Sequence, residues 1–561
     1  MKKLLYILLP FVFPMLSSAQ EKDWGRVSAS LETTNHIYVD DQTNNFFPTS
    51  RFDPNLTYLN GGRYASNNYL KVDYYKGRIS AGLQMEGYFP NTVGYPYAQN
   101  KLSLSNLYFS WTDNSYSVTA GSFYEQLGSG LLFRSWEDRA LGLNNAIVGA
   151  RATYNYKEIL TAKVFAGVPR LGKLSDMGRL SMDSENKFFG LGLTNVVVAA
   201  ADASVSLSDI IGTDKFSLAV EGSVLYKHEN LIPMVAELGC KGDNIGWSAR
   251  LNAETQGFYL KGEYVDAGMQ YINPMFDAQR GSAQLLEMGY NSRGLGVSLT
   301  GRRVHRMNQL IYTGDPTCSE SANVLSYCPA MCTQYTYMLT TLVPYNPVVG
   351  TNGLIAGEVG GQIDAFYNFR RGTKLGGKRG MKVHANFSTY YSLDKDGGVK
   401  DSELLFRDFS FDVEKQWTKK FKTTLLYSLQ EYNDTENDYT GMRAYVGMSH
   451  AVVADLLYKW TPKFSTRLEL QYLATEGYQK DWMAALLEVS FAPNWSVFAS
   501  DMYNHGSSKM HYYNAGVSYA YRWIRVAAGY GRYRAGYICS GGVCRQIPAY
   551  TGANLTLTAS F

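Results

Sequence analysis

Apolar and polar residues alternate along most of this chain with a period of two, in runs of roughly ten residues separated by turn signals. From Met381 the apolar row Met381, Val383, Ala385 and Phe387 interleaves with Lys382, His384, Asn386 and Ser388. In Ala549–Phe561 the row Leu555, Leu557, Ala559 and Phe561 interleaves with Asn554, Thr556, Thr558 and Ser560. Such a strand suits a wall between lipid and a wet interior. A charge on the lipid face costs about 2 to 4 kcal/mol for Arg or Lys at the midplane, so the phase is forced. Lys382, His384, Asn386 and Ser388 are assigned to the lumen, together with Arg467, Glu469, Gln471, Glu358, Gln362, Asp364, Glu488 and Arg525.

The separators fall into two kinds. Tight ones include Lys76-Gly77, 112–115, 291–294, 417–420, 461–463, Pro493-Asn494 and Tyr521-Arg522; loose ones include 39–66, 89–101, 125–144, 169–186, 305–352, 432–441 and 503–509. Barrels in outer membranes have short periplasmic turns and long extracellular loops. The expected fold is all-β: one large antiparallel up-and-down transmembrane barrel of about 26 strands, within roughly 22 to 26. Both termini are expected on the periplasmic side of a Gram-negative outer membrane. Phe561 matches the terminal aromatic signal read by the barrel-assembly machinery. At the other end, Lys2 and Lys3, an apolar run from Leu4 to Leu16 and Ser17-Ser18-Ala19 form a signal peptide, residues 1–19, leaving 20–561 as a single barrel domain.

Composition narrows this further. Tyr 44, Phe 26, Trp 9 and Gly 53 stand against Pro 16, as a large sheet with aromatic girdles requires. Trp111, Trp417, Trp460, Trp495 and Trp523 all fall at or beside tight turns, where an indole buries its ring and keeps its N–H near headgroups. A net charge of +4 makes no case for a nucleic-acid partner. A soluble propeller would show a repeat of about 40 to 50 residues, and none is visible.

Six cysteines in an exported chain point to disulfides rather than a metal site. Cys539 and Cys544 bracket Ser-Gly-Gly-Val, so a bond between them closes a tight loop at an extracellular hairpin tip. Cys318, Cys328 and Cys332 lie in the longest outer loop and Cys240 at an outer-side turn; the pairing of these four is open. The seven histidines are scattered without a metal or nucleophile motif, so no catalytic residue, metal or cofactor is expected.

The most unusual segment runs from Gly121 to Asn145. It leaves a strand through Gly128-Ser-Gly130 and carries Leu131, Leu132, Phe133, Leu141 and Leu143, which an exposed loop would not need. Residues 125–144 are expected to fold back into the lumen, with Arg134, Glu137, Asp138 and Arg139 pairing with wall charges beside Glu125. The segment acts either as a plug or as a contact for a partner or substrate.

That run, continued by Ala146-Ile-Val-Gly-Ala-Arg151, and the ending from Cys539 to Phe561 resemble a family of outer-membrane barrel proteins from Bacteroidota. The resemblance implies a setting of type IX protein secretion and of the maturation of secreted surface proteases, with secretion components or cargo as partners beside membrane lipid. It supplies no catalytic residues. Two functions follow: a non-enzymatic accessory of secretion or cargo maturation, or a porin-like channel for small solutes or a specific nutrient. The first strand starts near Arg26, which argues against the separate plug domain of energised transporters.

Overall fold

The computed structural model describes residues 24–48, 62–95, 102–170, 193–194, 196–230, 237, 241–270, 279–307, 309, 311, 324–340, 345–348, 356–394, 396–433, 447–477 and 479–561. Among them, twenty-four antiparallel strands form one sheet, each bonded to its sequence neighbours in the wall. The sheet closes where the first strand, Arg26–Tyr38, meets the last, Tyr550–Ser560, from Ser30 opposite Ser560 to Tyr38 opposite Gly552. Closure leaves no unpaired edge, and a sheet in hydrocarbon tolerates none.

The strand number is 24, within the expected range of roughly 22 to 26 and two below its central figure. Short alternating segments read like wall strands, yet Gly536–Ser540 and Val543–Ile547 pair only with each other, as a hairpin outside the wall ladder. Two smaller hairpins join Gln126–Leu127 to Phe133–Arg134 and Glu137–Asp138 to Leu143–Asn144. Among the described strand connections one holds a short helix, Leu207–Ile211, where the Ser206 side chain accepts from the Asp209 N–H and Gly212 closes the end at φ 72°.

The two faces of the wall follow the alternation. Phe387 is exposed outward while Asn386 and Ser388 are buried inward. Leu83, Val118, Val164, Val197, Leu251, Leu299, Leu425, Val452 and Leu487 stand exposed on the outer surface in the same way. Apolar surface on that scale belongs in lipid, because soluble monomers rarely expose contiguous patches above a few hundred Å². The wall spans a membrane.

Tight connections gather at one end and long ones at the other. Arg26 and Ser560 lie at the tight-turn end, as do Trp111, Trp417, Trp460, Trp495 and Trp523. The last four indoles are exposed, and Trp417 and Trp460 donate from Nε1 to Thr423 and Thr466 at 2.9 and 3.0 Å. Two connections at this end break the pattern: residues 207–215, which hold the short helix, and residues 370–380, between Gly357–Phe369 and Met381–Leu393, are both longer than a tight turn. The signal-peptide region lies outside the described residues.

Candidate functional site in the lumen

The apolar core of this protein sits inside the barrel, at the loop end. Leu127, Leu131, Leu132 and Phe133 are almost fully buried against inward-facing wall residues Phe165, Val198, Leu225, Val265 and Val304. Each such side chain contributes roughly 1.5 to 3 kcal/mol by leaving water. Gly128 at φ 55° and Gly130 at φ 95° turn the chain back on itself between the first pair of short strands. Opposite Leu132 the wall carries Gly246, where a Cβ would lie 2.8 Å from Leu132 Cδ1. The wall is notched to admit the segment.

Charges tie the same segment to the wall. Glu125 receives Arg151 Nη1 at 2.8 Å and Lys163 Nζ at 2.7 Å, both from wall strands. Glu137 accepts from Gln84 at 2.8 Å and from Arg139 at 3.1 Å. Arg139 also reaches Glu32 at 2.6 Å and lies 4.3 Å over the Tyr69 ring. Of the four charges expected to meet wall charges only Arg139 does so; Glu137 meets neutral Gln84 and its own segment's Arg139, and two residues depart further. Arg134 pairs with no carboxylate among the described residues; its guanidinium stacks 3.8 Å over Tyr327 and 5.7 Å from Trp136, since a weakly hydrated planar cation is well held by ring faces away from water. Asp138 turns inward on its own segment, accepting from the Leu141 N–H at 3.1 Å and closing that turn.

The longest loop also departs from expectation. It is expected outside, yet its described stretches 324–340 and 345–348 run within the barrel, as do Met307 and Ile311. At the loop end the Arg134 N–H donates to Leu325 O at 2.8 Å and the Tyr327 N–H to Gly130 O at 2.9 Å, so this loop zips onto the first segment. Farther along, Tyr390 donates to Met331 O at 2.6 Å, Tyr335 donates to Asp412 Oδ1 at 2.8 Å, and the Leu339 N–H donates to Gln471 Oε1 at 2.8 Å. The loop returns to Glu358, which accepts from Tyr345 and from the Val348 N–H and pairs with Arg302 at 2.7 Å. It is a strap across the lumen, fastened to several wall strands.

The disulfide hairpin completes this plug. Cys539 and Cys544 are bonded, with Gly541 at φ 61° and Gly542 at φ 90° forming the tip. Val543 packs with Trp136, Leu141 and Leu143, and the Cys328 N–H donates to Gly541 O at 2.9 Å. Cys328 is buried and Cys332 half-buried, both as free thiols inside the barrel rather than in an outer loop, and burial pushes both up to about 12. Their place follows from the strap, which sets Cys328 in the apolar core with Leu325 and carries Cys332 to the wall residues Tyr390 and Phe406. Cys240 and Cys318 lie outside the described residues.

Below the plug the lumen is lined with paired charges. His384 lies between Asp364 at 2.7 Å and Asp412 at 2.8 Å. Arg467 joins Asp455 at 2.9 Å and Glu469 at 2.6 Å, and Arg250 joins Asp202 at 2.5 Å and Glu221 at 2.7 Å. Among the described residues no group of three His, Cys, Asp or Glu is placed to hold a metal ion. The apolar wall face in the cluster of Leu131, Leu132 and Phe133 had one sequence signal. In Val196–Ala200 both rows of the strand are apolar, which a lumen-facing row permits only where something packs against it.

Wall, outer apolar band and filled lumen together define a plugged transmembrane β-barrel of the outer-membrane type. The chain belongs to the "Family of unknown function (DUF6029)", which matches it over residues 1–561. No curated protein matches it. Among solved structures it is similar to the translocation pore of the P pilus usher PapC, at TM-score 0.43 and 9% identity over 95% of this chain and 99% of that one. The siderophore receptor PirA from Pseudomonas aeruginosa gives TM-score 0.41 and 7% identity, over 97% and 81%. A mutant porin of Rh. blastica gives TM-score 0.26 and 11% identity, over 58% and 93%.

Proposed function

We propose that this protein is a closed, non-enzymatic outer-membrane barrel that serves as an accessory of type IX protein secretion in Bacteroidota, or of the maturation of secreted surface proteases. The observation that supports this is the fastened strap, above all the Leu339 N–H donated to Gln471 on a wall strand remote in sequence. A loop fastened to the wall at several points along the conduit shuts it, which a steadily open channel for solutes would not do. A barrel shut in this way works through its rims: the braced loops as a surface for secretion components or cargo, and the tight-turn end, with both chain ends, in the periplasm. The motif resemblance supplies the secretion setting.

The width of a 24-strand wall and its charged lining favour a second reading, a gated channel in which the strap is the gate. Single-channel recording on the purified protein, together with protease processing in a deletion strain, separates the two. A silent barrel and unprocessed surface proteases are expected. A large steady conductance with normal processing would overturn the accessory reading in favour of the channel.

A further inference from the structure

The connection at residues 370–380 is long, as 207–215 is at the same end of the barrel, but it differs in charge. Arg370, Arg371, Lys374, Lys378 and Arg379 fall within it, with no Asp or Glu. It is a built turn rather than a loose one. The Gly372 N–H donates to Gly377 O at 2.7 Å, the Gly377 N–H to Thr373 O at 2.8 Å, and the Gly376 N–H to Thr373 Oγ1 at 3.0 Å. Among the described residues no carboxylate pairs with any of the five bases. Nearby lumen acids are already engaged, Glu414 with Lys422 at 2.7 Å and Asp364 with His384 at 2.7 Å.

The turn also leans to a definite side. Lys415 donates from Nζ to Leu375 O. Lys415 stands in the outward row of its strand, with exposed Phe409 and Phe411, and its Nζ lies 5.6 Å from the ring of Trp417. A turn hooked to a lipid-facing lysine beside an interfacial indole lies at the headgroup level, outside the wall. At its tip Leu375 is 57% exposed, placed to enter the acyl boundary while the five bases stay in the polar layer.

We infer that residues 370–380 form a binding site for the phosphate groups of anionic phospholipids in the inner leaflet of the outer membrane. Unpaired guanidinium and ammonium groups at headgroup depth attract such lipids, and guanidinium forks bind phosphate oxygens in pairs. The leaflet rests on the periplasmic placement of the tight-turn end proposed above; the phosphate chemistry does not. The site fixes the depth of the barrel on one side and recruits a charged lipid annulus there.

Native mass spectrometry of the full-length protein in neutral detergent tests this with added phosphatidylglycerol, phosphatidylethanolamine of the same chains, and lipid A. Phosphatidylglycerol is expected to survive activation that strips phosphatidylethanolamine. The variant R370Q/R371Q/K374Q/K378Q/R379Q should lose that preference by about tenfold, whereas K374R/K378R should keep it. In the wild-type protein 1 M salt should abolish it, since screening then reaches about 3 Å, which gives a test even where the multiple variant fails to fold. Equal retention of the two phospholipids, or an undiminished preference in the folded multiple variant, overturns the site. Preference for lipid A over phosphatidylglycerol, lost in the same variant, overturns the leaflet and with it the proposed orientation, while leaving the phosphate site standing.

Discussion

The hydroxyl of Tyr335 donates to Oδ1 of Asp412 at 2.8 Å, joining the long loop from the far end of the barrel to a wall residue near the tight turns. His384 Nδ1 meets the same oxygen at 2.8 Å, so the strap is held here by a carboxylate already oriented by the wall. Loss of one such bond costs about 1 kcal/mol, which is about fivefold in an opening equilibrium. Tyr335→Phe is therefore expected to raise the frequency of brief openings in planar bilayers, and adding Gln471→Ala should raise it further. Recordings as quiet as wild type would remove the strap from the role of closure.

Arg302 and Glu358 are the most deeply buried of the strap's anchoring charges, and each depends on the other. Replacing Arg302 by Met strands a carboxylate without its cation, at a cost of about 3 to 5 kcal/mol. The double change Arg302→Met with Glu358→Gln should cost less than the single one. Thermal loss of heat-modifiable gel mobility reads the order; a double variant weaker than Arg302→Met contradicts it.

Gly246 is the notch that receives Leu132. Gly246→Ala places a methyl 2.8 Å from Leu132 Cδ1 and 2.9 Å from Asp266 O, so overpacking of about 1 to 3 kcal/mol is expected. Adding Leu132→Ala should not add its full cost on top, because the methyl then fills part of the space vacated. Strict additivity of the two in denaturant would show that the plug does not enter the notch.

The thiols offer a chemical probe with a pH sign. Burial raises Cys328 and Cys332, so both stay protonated near pH 8 and react slowly with iodoacetamide in the folded barrel. Alkylation should quicken as pH rises toward about 12, where thiolate forms, and should be rapid after unfolding at pH 8. Peptide mass mapping follows each site; rapid labelling of Cys328 in the native state would place the strap outside. Cys539 and Cys544 should stay unlabelled without reductant, and changing both to Ser should cost about 2 kcal/mol.

The exposed hydrophobic band gives an optical test. Trp417, Trp460, Trp495 and Trp523 share one rim, so lipids brominated near the headgroup should quench fluorescence more than lipids brominated at the chain ends. Equal quenching by both would mean that these indoles do not form a girdle.

What the residue order determined by itself is the wall. A period of two states which side chains face lipid and which face water, and Phe387 against Asn386 and Ser388 obeys it. Turn residues then state which end is which. The plug was legible only in part: the apolar residues between Gly121 and Asn145 marked a segment unfit for solvent, and a five-residue spacing marked Cys539 with Cys544. The course of the long loop was not legible, because residues 324–348 carry no repeating pattern and their partners stand on separate strands. Gln471 and Glu358 each read as an ordinary inward position, with nothing to mark them as partners of a loop. Likewise Arg134 and Asp138 looked like wall partners until the fold set Tyr327 under one and the Leu141 N–H beside the other. Alternation is a local property written into each strand, whereas a strap is held by groups that meet only after the first and last strands have closed the wall.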